Sequence, residues 1–381
     1  MDHFEKQEAE HLPTTATYED LENATTDKYG AKYSPDGKRL LRGADIGTYE
    51  IKAGTEVICD EAFRYCTLPW QINIPDSVTR IGNYAFEGCK SLRQINIPDS
   101  VTSIGHSAFF GCKSLEQINI PDSVTSIGDW AFEGCKSLRQ INIPDSVTSI
   151  GGGAFYHCTS LEQITIPSSV SAIEGNPFVG CTCTITCHSP HFKVVGNVLY
   201  NSDLTNLISC LSTQSHFNIP DNVTSIGHSA FDHCTSLRQI YIPDGVTRIE
   251  NGAFSYCESL RQITIPDSVT AIGYSAFWGC SSLEQITIPS SVTSIGDMAF
   301  WGCSSLEQIN IPDSVTSIGD GAFGHCTSLR QIYIPSSVTS IGGGAFIICE
   351  SLQTILIPRG SRKRFKRLLP DYKDKLVEAG D

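Results

Sequence analysis

The chain has 381 residues, with 27 Lys+Arg against 41 Asp+Glu and a formal net charge of −14. A surface so acidic is repelled by phosphate, which argues against nucleic-acid binding by the chain as a whole. No stretch reaches the roughly 18 consecutive apolar residues of a membrane span, and the segment MDHFEKQEAEHLPTTATYEDLENA carries acids where an export signal needs a basic start and an apolar run. With Met1 in place, the expected location is cytoplasmic.

In chain order, residues 1–50 read as an acidic segment, a short helix in ATYEDLENATTDKYG with Gly30 behind it, and a hairpin in AKYSPDGKRLLRG, together a cap. Residues 51–181 then repeat one phrase six times, and residues 219–358 repeat it six times more. The consensus is I-P-x-S-V-T-x-I-G-x-x-A-F-x-x-C-x-S-L-x-x-I-x. Its apolar positions hold constant while its polar positions vary, the pattern of side chains that share an interior. In SLRQINIP, Ile95 and Ile97 alternate with Gln94 and Asn96, the period of a strand with one buried face. Pro98 removes a backbone donor and ends it. Val101 and Ile104 turn back inward, and GAFxxC, too short for a stable helix, is expected to make one helical or 3₁₀ turn with Ala, Phe and Cys inside. One strand returning every 23 residues gives a parallel stack of rungs roughly 4.8 Å apart.

Between the two runs, residues 182–218 form an insertion in which NVLYNSDLTNLISC (197–210) reads as a second hairpin. Its Tyr200, Asp203 and Leu207 match Tyr33, Asp36 and Leu40 of the first, so the chain reads as two copies of hairpin plus about six rungs, joined into a single solenoid. Residues 359–381, with Phe365, Leu368, Leu369, Tyr372 and Leu376 at helical spacing, are expected to be a basic amphipathic helical cap. They carry eight basic and four acidic residues, or +4, leaving −18 for the rest. A cap over an acidic stack accounts for that; an anionic partner is the competing explanation.

A cysteine stands at the same place in every copy, from Cys66 to Cys181 and from Cys234 to Cys349, 23 residues apart within each run. Stacked rungs would bring these thiols within disulfide reach, but a ladder points its Cβ vectors the same way, which is poor bridging geometry. A thiol that behaves as a small buried hydrophobe is the favoured reading. The cluster CTCTITCHSPH offers Cys181, Cys183, Cys187, His188 and His191 as zinc ligands, the basis of a remote reading as a zinc-dependent enzyme. Its spacing matches no standard zinc arrangement, and Cys183, Ile185 and Cys187 alternate with Thr184 and Thr186 as an inward face would. His157, His233 and His325 never fall on adjacent rungs, and no Ser-His-Asp set, phosphate loop or carboxylate pair stands out. No catalytic residue, cofactor or metal is assigned.

The pattern L-x-x-I-x-I-P…V-x-x-I-G-x-x-A-F-x-x-C resembles the BspA-like, or treponemal-type, leucine-rich-repeat family over residues 51–358. The resemblance implies an α/β-type repeat solenoid: a right-handed coil with one parallel strand per rung, interrupted by the hairpin and closed by the helical cap. It also implies a non-enzymatic binding protein. Exported members of that family are adhesins, which makes a cell-surface protein binding host matrix or bacterial partners the alternative. Ser77, Ser100, Ser123 and their equivalents stand where leucine-rich repeats place asparagine, so no asparagine ladder is expected.

The expected contact surface is the outward strand face, including Asn96, Asn119, Asn142, Tyr241 and Tyr333. Beside it Arg93, Glu116, Arg139 and Glu162 alternate in sign, equally suited to recognition and to holding rungs together. On another edge Trp278 and Trp301 share a position on adjacent rungs, as contact anchors or as local packing. The partner expected is a protein or other macromolecule, bound by a monomer.

Overall fold

The computed structural model describes residues 12–379, which fall in two compact units divided between Pro177 and Phe178. Each unit is a stack of coils. In the first, strands Thr48–Glu50, Gln71–Asn73, Gln94–Asn96, Gln117–Asn119 and Gln140–Asn142 pair in parallel and in register, Ile72 beside Ile95 beside Ile118. In the second, His216–Asn218 to Gln285–Thr287 form one such ladder and Gln308–Asn310 to Thr354–Ile357 another. Most of these strands expose their Gln and third residue and bury the Ile between them, as in Gln117–Asn119.

Most rungs also carry a second strand of two residues, such as Ser126–Ile127 and Ser149–Ile150, which the period-2 pattern does not single out; at Ile104 it is reduced to single bridges. Two residues are too few to show an alternation, although Ile104, expected to face inward, is buried, as are its equivalents Ile127 and Ile150. Both hairpins join this second ladder. Lys32–Tyr33 pairs antiparallel with Arg39–Arg42, whose Leu40 then meets Ile58 in parallel. Val198–Asn201 pairs antiparallel with Asn206–Cys210, whose Leu207 meets Ile226. A third strand completes each meander, Thr25–Thr26 and Phe192–Val195.

The core is a repeated set. In one rung Leu115, Ile118, Ile120, Val124, Ile127, Ala131, Phe132 and Cys135 are all buried. The Phe rings stack nearly parallel, with centroids 5.1–5.7 Å apart from Phe63 to Phe155 and 5.1–5.6 Å from Phe231 to Phe346. An edge-on ring covers the exposed face of these columns: Tyr49 on Phe63, Phe217 on Phe231 and Tyr372 on Phe346. The column thiols donate to the Phe carbonyl of the preceding rung, Cys112 to Phe86 and Cys280 to Phe254 at 3.2 and 3.1 Å. Burial raises the pKa of such thiols far above the ordinary range, so they stay protonated donors.

The turn GxxAFxxC is not helical. Along Ser107–Cys112 the N–H groups alternate: Ser107, Phe109 and Gly111 donate to Asp129, Ala131 and Glu133 of the next rung, while Ala108, Phe110 and Cys112 close turns within their own. Left-handed residues make this possible at two places per rung, for example Trp130 and Gly134, and they forbid the expected helical turn. Ala, Phe and Cys still face inward.

The serine that replaces asparagine makes a ladder of its own. Ser100, Ser123, Ser146 and Ser169 each donate to the Val carbonyl one rung earlier at 2.5–2.7 Å, and Ser268, Ser291 and Ser314 repeat this at 2.5–2.6 Å. A one-carbon hydroxyl reaches its carbonyl directly, so the asparagine is dispensable here.

The ends differ from expectation in extent. The N-terminal helix is only Tyr18–Glu22, opened by a Thr17–Asp20 capping box, and Asp20 holds the buried Arg39 at 3.0 Å. The C-terminal helix is Arg362–Leu368, because Pro370 cannot continue the helix. A 3₁₀ segment Pro370–Lys375 follows, and Leu376, read as part of the helical face, lies in strand Leu376–Glu378 against Thr354–Ile357. Phe365 inserts fully into the core. Arg364 donates to the carbonyls of Ser336 and Val338, and Lys375 to that of Leu352, covering orphan acceptors of the last rungs.

Candidate functional site

In each unit the strands present an outward face of polar side chains. Parallel register places Gln71, Gln94 and Gln117 in one row and Asn73, Asn96 and Asn119 in the next, with Asn142 continuing the second. The first three of each row, with Ile72, Ile95 and Ile118 between them, line a shallow trough of about 300 Å³. In the second unit Gln285, Thr287, Gln308, Asn310 and Pro312 line one of about 250 Å³, and His216, Arg238, Gln239, Arg261, Gln262 and Glu284 another of about 460 Å³. An uncharged amide both donates and accepts, so such a row can hydrogen-bond to backbone or side chains of a partner without a large desolvation cost. Tyr241 is exposed on this face, and Tyr333 is half-buried.

Arg93, Glu116 and Arg139 lie exposed in one column beside that face, each donating its backbone N–H to the residue one rung earlier. Their side chains make no ion pair with one another or with Glu162 among the described residues. In the second unit Arg261 approaches Glu284, and Arg330 approaches Glu307, at 3.8 Å in both cases. Pairs so exposed contribute little to stability, which leaves the charges of the first unit available to a partner.

Trp278 and Trp301 are half-buried members of a longer row: His233, Tyr256, Trp278, Trp301 and His325 contact in sequence, with centroids 4.6, 6.2, 6.5 and 4.7 Å apart. The sequence conceals this row because its Trp stand two residues before the column cysteine and its His and Tyr one before. Glycines create the room. A Cβ at Gly279 would lie 2.8 Å from the Tyr256 ring, and one at Gly324 would lie 2.3 Å from the Trp301 ring. Each of the two indoles thus has a ring neighbour on both sides.

A second feature absent from the sequence reading lies at the N-terminal edge. Arg64 sits 5.0 and 5.4 Å from the Tyr65 and Tyr84 rings and pairs with Glu61 and Glu87 at 2.9 and 2.8 Å. Leu21, Arg42, Asp60, Glu61, Arg64, Tyr65 and Tyr84 line a hollow of about 590 Å³.

The CTCTITCHSPH segment is divided between inside and outside. Cys183 and Ile185 are buried, Cys187 is half-buried and donates to the Phe192 carbonyl at 3.6 Å, and His188 and His191 are exposed. No group of three His, Cys, Asp or Glu fit to hold a metal occurs among the described residues, and no described helix is long and apolar enough to cross a membrane.

The family profile described as BspA type leucine rich repeat region matches residues 56–185, 206–323 and 247–366, in six copies. A leucine rich cell surface protein of Faecalibacterium prausnitzii is 32% identical over 91% of this chain and 97% of its own, with a TM-score of 0.63. The pneumococcal vaccine antigen PcpA, 21% identical over 94% and 96%, has the same TM-score, and a leucine-rich repeat protein of Eubacterium ventriosum, 24% identical over 80% and 83%, has 0.57. These two likenesses concern the fold. No curated protein sequence matches the chain. Stacked 23-residue coils, parallel ladders and the matched profile agree: the chain belongs to the BspA-type leucine-rich-repeat family.

Proposed function

We propose that the chain is a non-enzymatic binding protein that engages a protein partner through its polar strand faces. The observation that carries this reading is the exposed, in-register row of amides and hydroxyls, whose side chains point away from the core. The flanking Arg93, Glu116 and Arg139 add sign-specific contacts, and the uncharged ladder between them favours a polar protein surface over a phosphate polymer. The test is a pull-down with the whole chain against two variants, one with Asn96, Asn119 and Asn142 changed to Lys and one with Trp278 and Trp301 changed to Ala. Loss of a specific partner with the first variant, at unchanged melting temperature, is the expected result. A partner kept by the first and lost by the second would move the site to the aromatic edge.

A second reading, a cell-surface adhesin for host or bacterial ligands, is favoured by the cell-surface relative at 32% identity. It uses the same face and differs only in where the partner is met. Fractionation of the native protein separates the two: surface exposure supports the adhesin, and retention inside the cell supports an intracellular scaffold.

A further inference from the structure

The charge column of the first unit is its own complement. Arg93, Glu116, Arg139 and Glu162 stand on successive rungs, all exposed. Backbone bonds fix their register: Glu116 donates its N–H to the Arg93 carbonyl at 3.2 Å, Arg139 to Glu116 at 3.4 Å and Glu162 to Arg139 at 3.1 Å. The signs therefore alternate at one strand spacing, roughly 4.8 Å. None of these side chains makes an ion pair among the described residues, whereas Arg261–Glu284 and Arg330–Glu307 of the second unit approach to 3.8 Å.

In reverse order, plus-minus-plus-minus becomes minus-plus-minus-plus. A second copy turned end for end thus offers each charge its opposite. Two such faces can be laid together about a two-fold axis parallel to the strands, between the Glu116 and Arg139 rungs. Glu116 then lies over Arg139 of the second copy and Arg93 over Glu162 of the second copy, and the axis repeats both contacts. The same rotation keeps each row over itself: Gln117 meets Gln140 of the second copy and Asn119 meets Asn142, amides that both donate and accept. Other registers do worse. An axis through any rung sets like signs opposite, and one between Arg93 and Glu116 leaves Arg139 and Glu162 unmatched.

We propose that the chain forms a two-fold homodimer through the strand face of its first unit, with Glu116 and Arg139 of each copy as the central charge contacts. This deepens the binding role proposed above and rests on it, naming a second copy as the partner of this face. Charge complementarity selects that occupant. An alternating ladder is matched throughout by its own reverse, while a uniformly basic or acidic surface would meet like charges at every other rung. The second unit, whose charges pair within their own column, takes no part. Contact over so few rungs makes a small interface, so pairing is reversible and depends on concentration.

Sedimentation equilibrium of the whole chain, from about 1 μM to about 0.3 mM, is the test. The expected result is a mass that rises from the 41.5 kDa monomer towards twice that value. Glu116→Arg and Arg139→Glu, each alone, set like charges at both central contacts and are expected to weaken pairing about tenfold or more at unchanged melting temperature. Mixed in equal amounts, the two variants regain opposite signs at both contacts, and a heterodimer near the parental affinity is expected. A parent that stays monomeric throughout, single variants that pair as well as the parent, or a mixture that stays monomeric would each overturn the proposal. The pull-down remains a separate measure: a foreign partner lost with the Asn variant, beside a monomeric parent, would sink the dimer and keep the strand-face reading.

Discussion

The two units share a spine and differ at their edges. Both stack Phe rings 5–6 Å apart, both donate column thiols to Phe carbonyls and both carry the serine ladder. Along the edge before the column cysteine, however, the first unit places Arg64, Glu87, Phe110, Glu133 and Tyr156, where the second runs an unbroken aromatic row from His233 to His325. Beside the strands, the first alternates Arg and Glu without pairing them, and the second groups like signs and pairs two across the boundaries. Structure is thus held by positions that do not vary from rung to rung, and individuality by those that do.

The sharpest way to break that comparison is to cut the spine beside an edge. Phe277→Ala removes a fully buried ring from the middle of its stack and is expected to cost about 3–5 kcal/mol by denaturant unfolding. Trp278→Ala, its neighbour on the half-buried edge, is expected to cost clearly less; equal losses would show that the aromatic row is as structural as the core.

Ser123→Ala tests the ladder next. The Val101 carbonyl would lose its 2.5 Å donor, at an expected cost of about 1–3 kcal/mol. The equivalent Ser291→Ala in the second unit should match it, and a difference larger than the spread of replicate melts would mean the units do not share this device.

A smaller effect separates the edges by pH. Burial alone pushes the Glu133 carboxyl up to about 7 from an ordinary 4.5. A folded-state value raised this way means the folded chain favours the neutral acid. Its contribution is therefore fully present below pH 4.5 and lost as pH rises through 7. Glu133→Gln is expected to flatten the fall in melting temperature over that window; an unchanged slope would place the cause elsewhere. Smallest of all is Asn119→Ala on the strand face, expected to lie within about 0.5 kcal/mol of the parent even where it weakens partner binding.

Much of this was legible because the repeat supplies its own controls. Ile95, Phe86 and Cys89 recur in every rung, so their inward direction follows from constancy, and the matched Tyr33 and Tyr200 expose the paired hairpins. What escaped notice depends on a few atoms or on offsets. Ser126–Ile127 is too short to show a period. Trp130 and Gly134 adopt left-handed backbone that a helix-sized gap in the sequence does not announce. The aromatic row slips by one residue between Tyr256 and Trp278, and glycines lie against the Tyr256 and Trp301 rings. Pro370 was visible, but the apolar spacing across it outweighed it, and the proline decided the outcome.

Residue-resolved alkylation of the native chain, without denaturant, tests most directly whether the constant positions form one sealed interior. Cys112, Cys135, Cys280 and Cys303 are fully buried, with burial holding them protonated. They are predicted to label only as fast as the chain unfolds globally, long after the half-buried Cys187. Labelling of those four at the pace of Cys187, with the chain still folded, would contradict the account.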